Sequence, residues 1–420
     1  MATTYTDALL GATVDTVETN AKNEISDWII GAALAGADEV GILAGICERL
    51  NTAGLSLVRA SVAGDLLDPT FDARGVRWLR AQGGLEEKFL RTEDASAAED
   101  WKRSPFFFLV EGRHRMMRRH LDATYRRGEF PILDRLQDEG ATDYVAFASR
   151  VGKSLRLGEG EGIAASWTTD ARNGFTDAQV ELLAAILPAL TLAMMLGTTN
   201  RAARTLLTTY LGSDAAERVL AGNIVRGRAD PIRAVVWYSD LVGFTRISDS
   251  SNAETVLALL NDYAEAQVEE IEAHAGHVLK FIGDGILAIF PETDTAVACK
   301  RALDANAGLR QRISALNARR AASGLPVTDA HVALHVGELL YGNVGSPRRL
   351  DFTVLGPAVN EAARIEALCA SLEQTIIVSS AFAEAAGDAR RNLVNLGRYA
   401  MKGVARTQEL FTVEFARDAG

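Results

Sequence analysis

Two aspartates, each placed in a sharp turn, are the residues of this sequence whose types and spacing most clearly indicate chemistry. Asp240 ends the apolar run of residues 235–240, and Asp284 stands between Gly283 and Gly285. A buried strand that stops at Asp240 delivers its carboxylate at a strand end, and a hairpin turn around Asp284 does the same. If the strands lie side by side, the carboxylates converge and offer the oxygen ligands that Mg²⁺ or Mn²⁺ prefers. The pattern predicts a divalent metal site.

A third segment, residues 349–364, adds an amide and a guanidinium that share one face of a predicted helix. Pro357 suits the first turn of that helix, because the N–H that proline lacks has no partner there. Asn360 and Arg364 then stand at positions i and i+4 and point the same way. Such a pair suits a phosphate whose charge changes during a reaction. Together with the metal site, this segment predicts a nucleotide site.

These three segments, in this order and spacing, resemble the catalytic domain of the class III nucleotidyl cyclases over roughly residues 231–417. Further glycine-containing segments match the family as well. They are His335-Val336-Gly337, Tyr341-Gly342-Asn343-Val344-Gly345 and Met401-Lys402-Gly403. The resemblance implies an α+β fold in which an antiparallel sheet of ferredoxin-like type is flanked by helices.

The resemblance also implies two divalent ions, Mg²⁺ or Mn²⁺, that act on a nucleoside triphosphate. In the family, the ions are held by the aspartates that match Asp240 and Asp284, with help from the main-chain carbonyl that matches Leu241. One ion activates the ribose 3′-hydroxyl for attack on the α-phosphorus, and the other neutralises the polyphosphate and the leaving pyrophosphate. By the same correspondence, Asn360 positions the ribose and Arg364 stabilises the α-phosphate in the transition state.

The remaining phosphate contacts are implied in the same way. The turn that contains Gly243, Phe244 and Thr245 would offer backbone N–H groups to the phosphates, and Lys402 would hold the terminal phosphates. Pro357 departs from the aspartate that is common in the family, a change that leaves the metal ligands untouched. The simpler alternatives for these polar residues are a turn-capping aspartate, a solvated arginine on an amphipathic helix and a surface lysine.

Base selection is expected to depend on Lys280 and Thr353, which the resemblance places at the purine. A lysine ammonium only donates hydrogen bonds and adenine N1 only accepts them, whereas guanine N1 carries a proton and would want a carboxylate. Many family members have an aspartate at the position of Thr353, and the hydroxyl found here can accept or donate. A bacterial branch of the family has this lysine and threonine pair and is generally adenylate-forming. ATP is therefore the expected substrate, and a guanylate or less selective cyclase is the alternative.

Composition limits the function classes. The 420 residues, of which 48% are hydrophobic and 24% charged, suffice for two or three globular domains. The net charge of -11 argues against a general nucleic-acid-binding protein. The cysteines are too few and too scattered for a disulfide framework or a zinc site, which fits a reducing cytoplasm. They are Cys47, Cys299 and Cys369.

A cytoplasmic protein without a transmembrane segment is the expectation. The N-terminus has neither a basic region nor an apolar region of the kind found in secretion signals. The longest apolar run, Leu182 to Leu196, contains Pro188 and is shorter than a typical membrane span. We expect this run to form a buried or dimer-forming helix.

The N-terminal half predicts a separate α+β domain. Helix-like apolar spacing covers residues 20–50, and a long helix through Met195 has Thr176 or Asp177 as its expected N-cap. Strands are predicted at residues 56–62, 144–150 and 162–168. This order resembles a GAF-like sensory domain, with another α+β sensor fold as the alternative, and predicts no particular ligand.

A basic stretch in this half is interpreted as a solvated helix face, with a phosphorylated ligand or an acidic partner as the alternative. Its members are Arg113, His114, Arg115, Arg118, Arg119, Arg126 and Arg127.

The sequence as a whole predicts a GAF-like regulatory domain over residues 1–197, a helical linker over 198–230 and a class III cyclase domain over 231–420. The expected function is an adenylate cyclase regulated by its N-terminal domain. A non-catalytic nucleotide-sensing scaffold is the alternative of another class, and the intact polar residues of the site argue against it.

The resemblance finally implies a homodimer with shared active sites. In the family, the metal-binding aspartates come from one protomer. The residues that match Lys280, Thr353, Asn360 and Arg364 come from the other. A chain that carries both sets is expected to pair head to tail around a two-fold axis and to form two composite sites.

Overall fold

The computed structural model describes residues 22–65, 71–90, 95–152, 162–401 and 407–413. The chain divides into two units, Met1–Leu206 and Leu207–Gly420. Each unit combines one β-sheet with helices, so the α+β fold class is confirmed.

The N-terminal unit is built on a six-stranded sheet. Its strands are β1 (Leu57–Asp65), β2 (Phe71–Leu79), β3 (Gly83–Leu90), β4 (Met116–His120), β5 (Asp143–Arg150) and β6 (Gly162–Thr169). Its helices are α1 (residues 22–34), α2 (Glu39–Thr52), α3 (Ala95–Lys102), α4 (Pro105–Glu111), α5 (Pro131–Asp138) and α6 (Asp177–Leu211). The sheet is antiparallel in the order β3-β2-β1-β6-β5-β4. The three predicted strands correspond to β1, β5 and β6.

Helix α6 contains the longest apolar run of the sequence. Leu183, Ile186 and Leu190 on this helix are fully buried in the core of the N-terminal unit, together with Trp167 of β6. By length and composition the helix could also cross a membrane, but core helices of soluble proteins pass the same test. The expectation of a buried helix is confirmed for this face of α6.

Local capping explains where these helices begin. The hydroxyl of Thr176 accepts a hydrogen bond from the backbone N–H of Gln179, which makes Thr176 the N-cap of α6, as predicted. The single helix expected over residues 20–50 is wrong in one respect, because the chain turns at Gly36 (φ +82°) and begins again at α2. Asp38 caps that second helix through the backbone N–H of Gly41.

The interpretation of the basic stretch as a helix face is wrong for its central residues, which lie on strand β4. Arg118 reaches the buried carboxylate of Asp143 at 2.9 Å, and Arg119 pairs with Glu129 at 2.6 Å. These arginines therefore form ion pairs within the N-terminal unit. The sequence does not show the alternation of apolar and polar residues that is typical of a strand, because charged residues occupy both faces of β4.

The first helix that lies wholly in the C-terminal unit is α7 (Ser213–Leu220), which follows the end of α6. The predicted linker is therefore helical in part. The strands of this unit are β7 (Ala229–Leu241), β8 (His277–Ile282), β9 (Gly285–Pro291), β10 (Ala330–Ser346), β11 (Arg349–Leu355), β12 (Ile376–Ser379), β13 (Leu393–Tyr399) and β14 (Gln408–Val413). Its other α-helices are α8 (Phe244–Ser250), α9 (Ala253–Ala273), α10 (Thr295–Ala322), α11 (Pro357–Glu366) and α12 (Ser380–Ala385).

The sheet of this unit runs in the order β13-β14-β12-β10-β7-β9-β8, and β11 pairs with β10. All neighbouring strands are antiparallel except the parallel pair β10 and β12. Residues of β7 alternate between two cores, as a strand buried on both faces requires. Val235 and Trp237 pack with α9 and α10, whereas Val236 packs on the side of α11. Strand β7 is therefore a central strand, and its end is held rigidly.

Candidate active site

The two predicted metal-binding aspartates meet at one end of the central strands. Asp240 is the penultimate residue of β7, and Asp284 lies in the turn between β8 and β9, where the hairpin was predicted. The backbone N–H of Leu241 donates to Oδ2 of Asp284 at 3.3 Å, which ties the turn to the strand end. Gly285 permits this approach, because a Cβ there would lie 2.3 Å from the carbonyl oxygen of Ser239.

The environment of Asp240 disfavours its ionisation. The pKa of Asp240 is raised to about 6, chiefly by burial and then by the negative charge of Asp284. A divalent cation would relieve this repulsion, so the pair fits a divalent metal. Among the described residues, no group of three or more His, Cys, Asp or Glu side chains could hold a metal ion. Substrate phosphates and water would have to complete the coordination, as is usual for Mg²⁺.

A third carboxylate, Glu366 at the end of α11, was missed by the sequence analysis. Its pKa is raised to about 7 by burial and then by the charges of Asp240 and Asp284. Nδ1 of His331 lies 3.8 Å from its Oε1 atom. Glu366 stands two residues after Arg364, but only the docking of α11 on the sheet reveals that it faces the aspartates.

The predicted phosphate-binding turn follows β7 directly. Gly243 adopts the left-handed conformation (φ +66°) at the N-terminus of α8, and no side chain caps this end. The first backbone N–H groups of a helix have no intrahelical acceptor, so those of Phe244 and Thr245 are available to a ligand. The turn is fixed by Val242, whose N–H donates to the carbonyl of Asp329 at 2.8 Å.

Helix α11 begins at Pro357, as predicted, and carries Asn360 and Arg364 one turn apart. Asn360 is exposed and Arg364 is half-buried. Among the described residues neither side chain has a hydrogen-bond or ion-pair partner, so both are free to contact a ligand. The helix packs closely on β10, because a Cβ at Gly337 would lie 2.4 Å from the Cβ of Ala358.

Two histidines of β10 face this helix. Nε2 of His335 lies 3.6 Å from Oε2 of Glu361, and His331 is the neighbour of Glu366 described above. Nδ1 of His335 also lies 2.8 Å from the hydroxyl of Ser379. Burial lowers the pKa of both histidines, which keeps them neutral near pH 7. These two histidines thus help to dock α11 on the sheet.

The predicted base-binding residues form a separate group. The ammonium of Lys280 pairs with Asp351, an aspartate that the sequence analysis did not single out. Thr353 lies two residues further along β11 and faces the same side as Asp351. Lys402, the predicted ligand of the terminal phosphates, lies outside the described residues.

The predicted residues therefore form separate groups that are not linked by hydrogen bonds or ion pairs in one chain, although Glu366 of α11 lies near the aspartates. Among the described residues, no hydrogen bond or ion pair connects Asp240 or Asp284 to Lys280, Asn360 or Arg364. The aspartates and the phosphate turn form one group at the end of β7. The other groups lie on β8, β11 and α11.

Comparisons with known proteins find similarity over this unit. Residues 229–414 match the family model of the adenylate and guanylate cyclase catalytic domain. Adenylate cyclase 1 of Rhizobium meliloti (strain 1021) is 31% identical over 193 residues, which are 44% of this chain and 28% of that protein. The chain spans only 28% to 31% of the length of the adenylate cyclases that it matches.

Two solved structures are similar to the same part of the chain. The adenylyl cyclase CyaB from P. aeruginosa is 25% identical with a TM-score of 0.41 and covers 46% of this chain and 100% of its own. The guanylyl cyclase Cya2 is 29% identical with a TM-score of 0.40 and covers 45% of this chain and 97% of its own.

Proposed function

We propose that this chain, whose residues 229–414 belong to the adenylate and guanylate cyclase catalytic domain family, converts ATP to 3′,5′-cyclic AMP and pyrophosphate. The observation that carries the proposal is the meeting of Asp240 and Asp284 at the end of β7. Burial and the charge of Asp284 raise the pKa of Asp240 to about 6, and a carboxylate pair in such a setting is suited to divalent cations.

Asp240, Asp284 and the main-chain carbonyl of Leu241 would hold two divalent ions, Mg²⁺ or Mn²⁺. Such ions would neutralise negative charge on the triphosphate and would make the ribose 3′-hydroxyl more acidic. In the reaction, a bond forms between the 3′-oxygen and the α-phosphorus, and the bond from the α-phosphorus to the bridging oxygen breaks. Pyrophosphate leaves with the electron pair of that bond, and the hydroxyl proton passes to solvent.

The side chains of α11 would act on the reacting phosphate. Arg364 has no partner among the described residues, so its guanidinium can bind the α-phosphate as negative charge builds up. Asn360, one turn earlier, would hold the ribose. The N–H groups of Gly243, Phe244 and Thr245 would bind the β- and γ-phosphates, with Lys402 as a further phosphate ligand.

ATP is the proposed substrate because the ammonium of Lys280 can donate to adenine N1, whereas guanine N1 is itself a donor. A guanylate or less selective cyclase is the second candidate. It is favoured by Thr353, whose hydroxyl can serve either base. Non-catalytic nucleotide sensing is the weaker alternative, since the metal-binding aspartates and both polar side chains of α11 are all present.

The proposed active unit is a homodimer with two composite sites. In support, no hydrogen bond or ion pair joins Asp240 or Asp284 to Lys280, Asn360 or Arg364 among the described residues of one chain. A two-fold head-to-tail arrangement would bring the aspartates of one protomer to α11 of the other.

The N-terminal unit is proposed to be a GAF-like regulatory domain of a cytoplasmic enzyme, with residues 198–230 as the linker to the cyclase domain. Its sheet of six antiparallel strands with helices supports this.

The test is to incubate the purified full chain with each nucleoside triphosphate and either Mg²⁺ or Mn²⁺ and to identify the products by mass. Cyclic AMP from ATP is expected well above every other cyclic product. Asp240→Asn serves as the control for contaminating cyclases. Absence of any cyclic product under all conditions would contradict the enzymatic proposal, and a preference for cyclic GMP would contradict the choice of base.

A further inference from the structure

Lys280 has a partner that local sequence patterns do not reveal. Its ammonium forms an ion pair and a hydrogen bond with Oδ2 of Asp351. The two residues stand on β8 and β11, which are not neighbours in the sheet. The contact therefore depends on the tertiary fold and joins two separate strands through their side chains.

Both strands direct these side chains to the surface. In β11, Phe352 and Val354 are buried, so Asp351 and Thr353 share the opposite face. In β8, a register shift immediately precedes Lys280, and such bulges change the direction of a side chain. Lys280 thus reaches the face on which Asp351 and Thr353 lie.

The simplest interpretation of this contact is an ordinary surface ion pair. Nearly half of each side chain is exposed, 47% for Lys280 and 45% for Asp351, and exposed pairs contribute little to folding stability. The location of the pair argues for more than that. It contains the one lysine assigned to the base, and it lies one pleat from Thr353, the other residue assigned to the base.

We propose that Asp351 is a positioning residue that holds the ammonium of Lys280 toward N1 of adenine, an inference that rests on the proposed adenylate cyclase function. A lysine has a flexible four-carbon stem, and a carboxylate that binds its ammonium removes much of that freedom before the substrate arrives. The ammonium has three N–H donors, so one can engage Asp351 while another remains for adenine N1.

The same pair disfavours guanine. Guanine N1 carries a hydrogen and needs an acceptor at the point that the ammonium of Lys280 occupies. The carboxylate of Asp351 is an acceptor on this face, but its Oδ2 atom is engaged by Lys280. Asp351 thus favours ATP by fixing a donor in place, and the hydroxyl of Thr353 does not have to reject GTP.

The test combines a variant of Asp351 with an ATP analogue that lacks the N1 acceptor. Asp351→Asn keeps the size of the side chain and removes its charge, and 1-deaza-ATP has a carbon in place of N1. In the full chain, Asp351→Asn should raise KM for ATP about fivefold with kcat nearly unchanged, as expected for the loss of one exposed charge contact. KM for 1-deaza-ATP should not change, because Lys280 has no acceptor to meet there. Asp351→Glu should recover most of the affinity for ATP.

Asp304→Asn is the matched control. Asp304 forms an exposed ion pair with Lys300 on helix α10, so this variant removes a contact of the same type outside the site. Its KM values for both substrates should equal those of the unmodified chain, and both variants should unfold at the same temperature.

Binding affinities, measured without catalysis, distinguish a failure of this inference from a failure of the proposed function. A chain that makes no cyclic AMP contradicts the proposed function, and calorimetric affinities for 3′-deoxy-ATP and 1-deaza-ATP then decide the role of Asp351. A fivefold weakening by Asp351→Asn that requires N1 supports the inference. Equal weakening for both ligands, no weakening, or no binding of either ligand by the unmodified chain overturns it.

Discussion

Replacing Asp240 with asparagine is expected to stabilise the metal-free protein and to abolish its activity. Asparagine has nearly the same shape but cannot ionise, so the cost of burying a charge and the repulsion with Asp284 both disappear. The same change removes a charged ligand from the proposed metal site. If the carboxylate pair binds a cation, the variant should therefore be more stable without metal and inactive.

The magnitude follows from the pKa of Asp240, which is raised from 3.8 to about 6. At about 1.36 kcal/mol per pH unit, this difference corresponds to about 3 kcal/mol as an upper bound. The carboxylate is partly exposed, so screening by solvent reduces the expected gain to about 1 kcal/mol. Since the folded-state pKa is the higher one, the penalty is absent below about pH 4 and complete above about pH 6.5.

The assay is urea unfolding in the presence of a chelator at pH 8 and again at about pH 4, where the penalty is absent. Asp240→Asn should gain about 1 kcal/mol at pH 8 and almost nothing at the lower pH. Added Mn²⁺ should stabilise the unmodified chain and not the variant. Asp304→Asn, which changes an exposed aspartate of α10, should show no gain that depends on pH. A variant that is less stable at pH 8, or equally stabilised at both pH values, would refute the reasoning.

The other variants probe the base, the hairpin and the regulatory unit. Lys280→Glu should lose ATP turnover by about two orders of magnitude while any GTP turnover falls less or rises; equal losses would mean that Lys280 supports the fold or the phosphates. Gly285→Ala should cost about 1–3 kcal/mol in urea unfolding and most of the activity, because the new Cβ would lie 2.3 Å from the carbonyl of Ser239; normal stability would show that the hairpin can move. Removal of residues 1–200 should change specific activity or its metal dependence, and unaltered kinetics in a folded, dimeric truncation would count against coupling.

Local signals predicted the parts of the site that lie on single turns or helices. The strand end at Asp240, the hairpin around Asp284 and the proline start of α11 each follow from a few neighbouring residues. The catalytic roles of Asn360 and Arg364 remain predictions, since their placement on one free face of a helix does not by itself assign a reaction.

Contacts between distant segments could not be predicted in this way. The pairing of Lys280 with Asp351 depends on a bulge in β8 and on how β11 packs, and Glu366 meets the aspartates only because α11 docks on β10. Arg118 was misread because its strand is charged on both faces, and its partner Asp143 lies on the adjacent strand.

The central claim is that the aspartates at the end of β7 and the side chains of α11 act on one ATP, each contributed by a different protomer. Asp240→Ala and Arg364→Ala chains should each be nearly inactive alone. Mixed as a verified heterodimer, they rebuild one site with both unmodified halves, while the other site carries both lesions. Formation of cyclic AMP from ATP should then return to as much as half the rate of the unmodified dimer. No recovery in such a heterodimer would contradict the account.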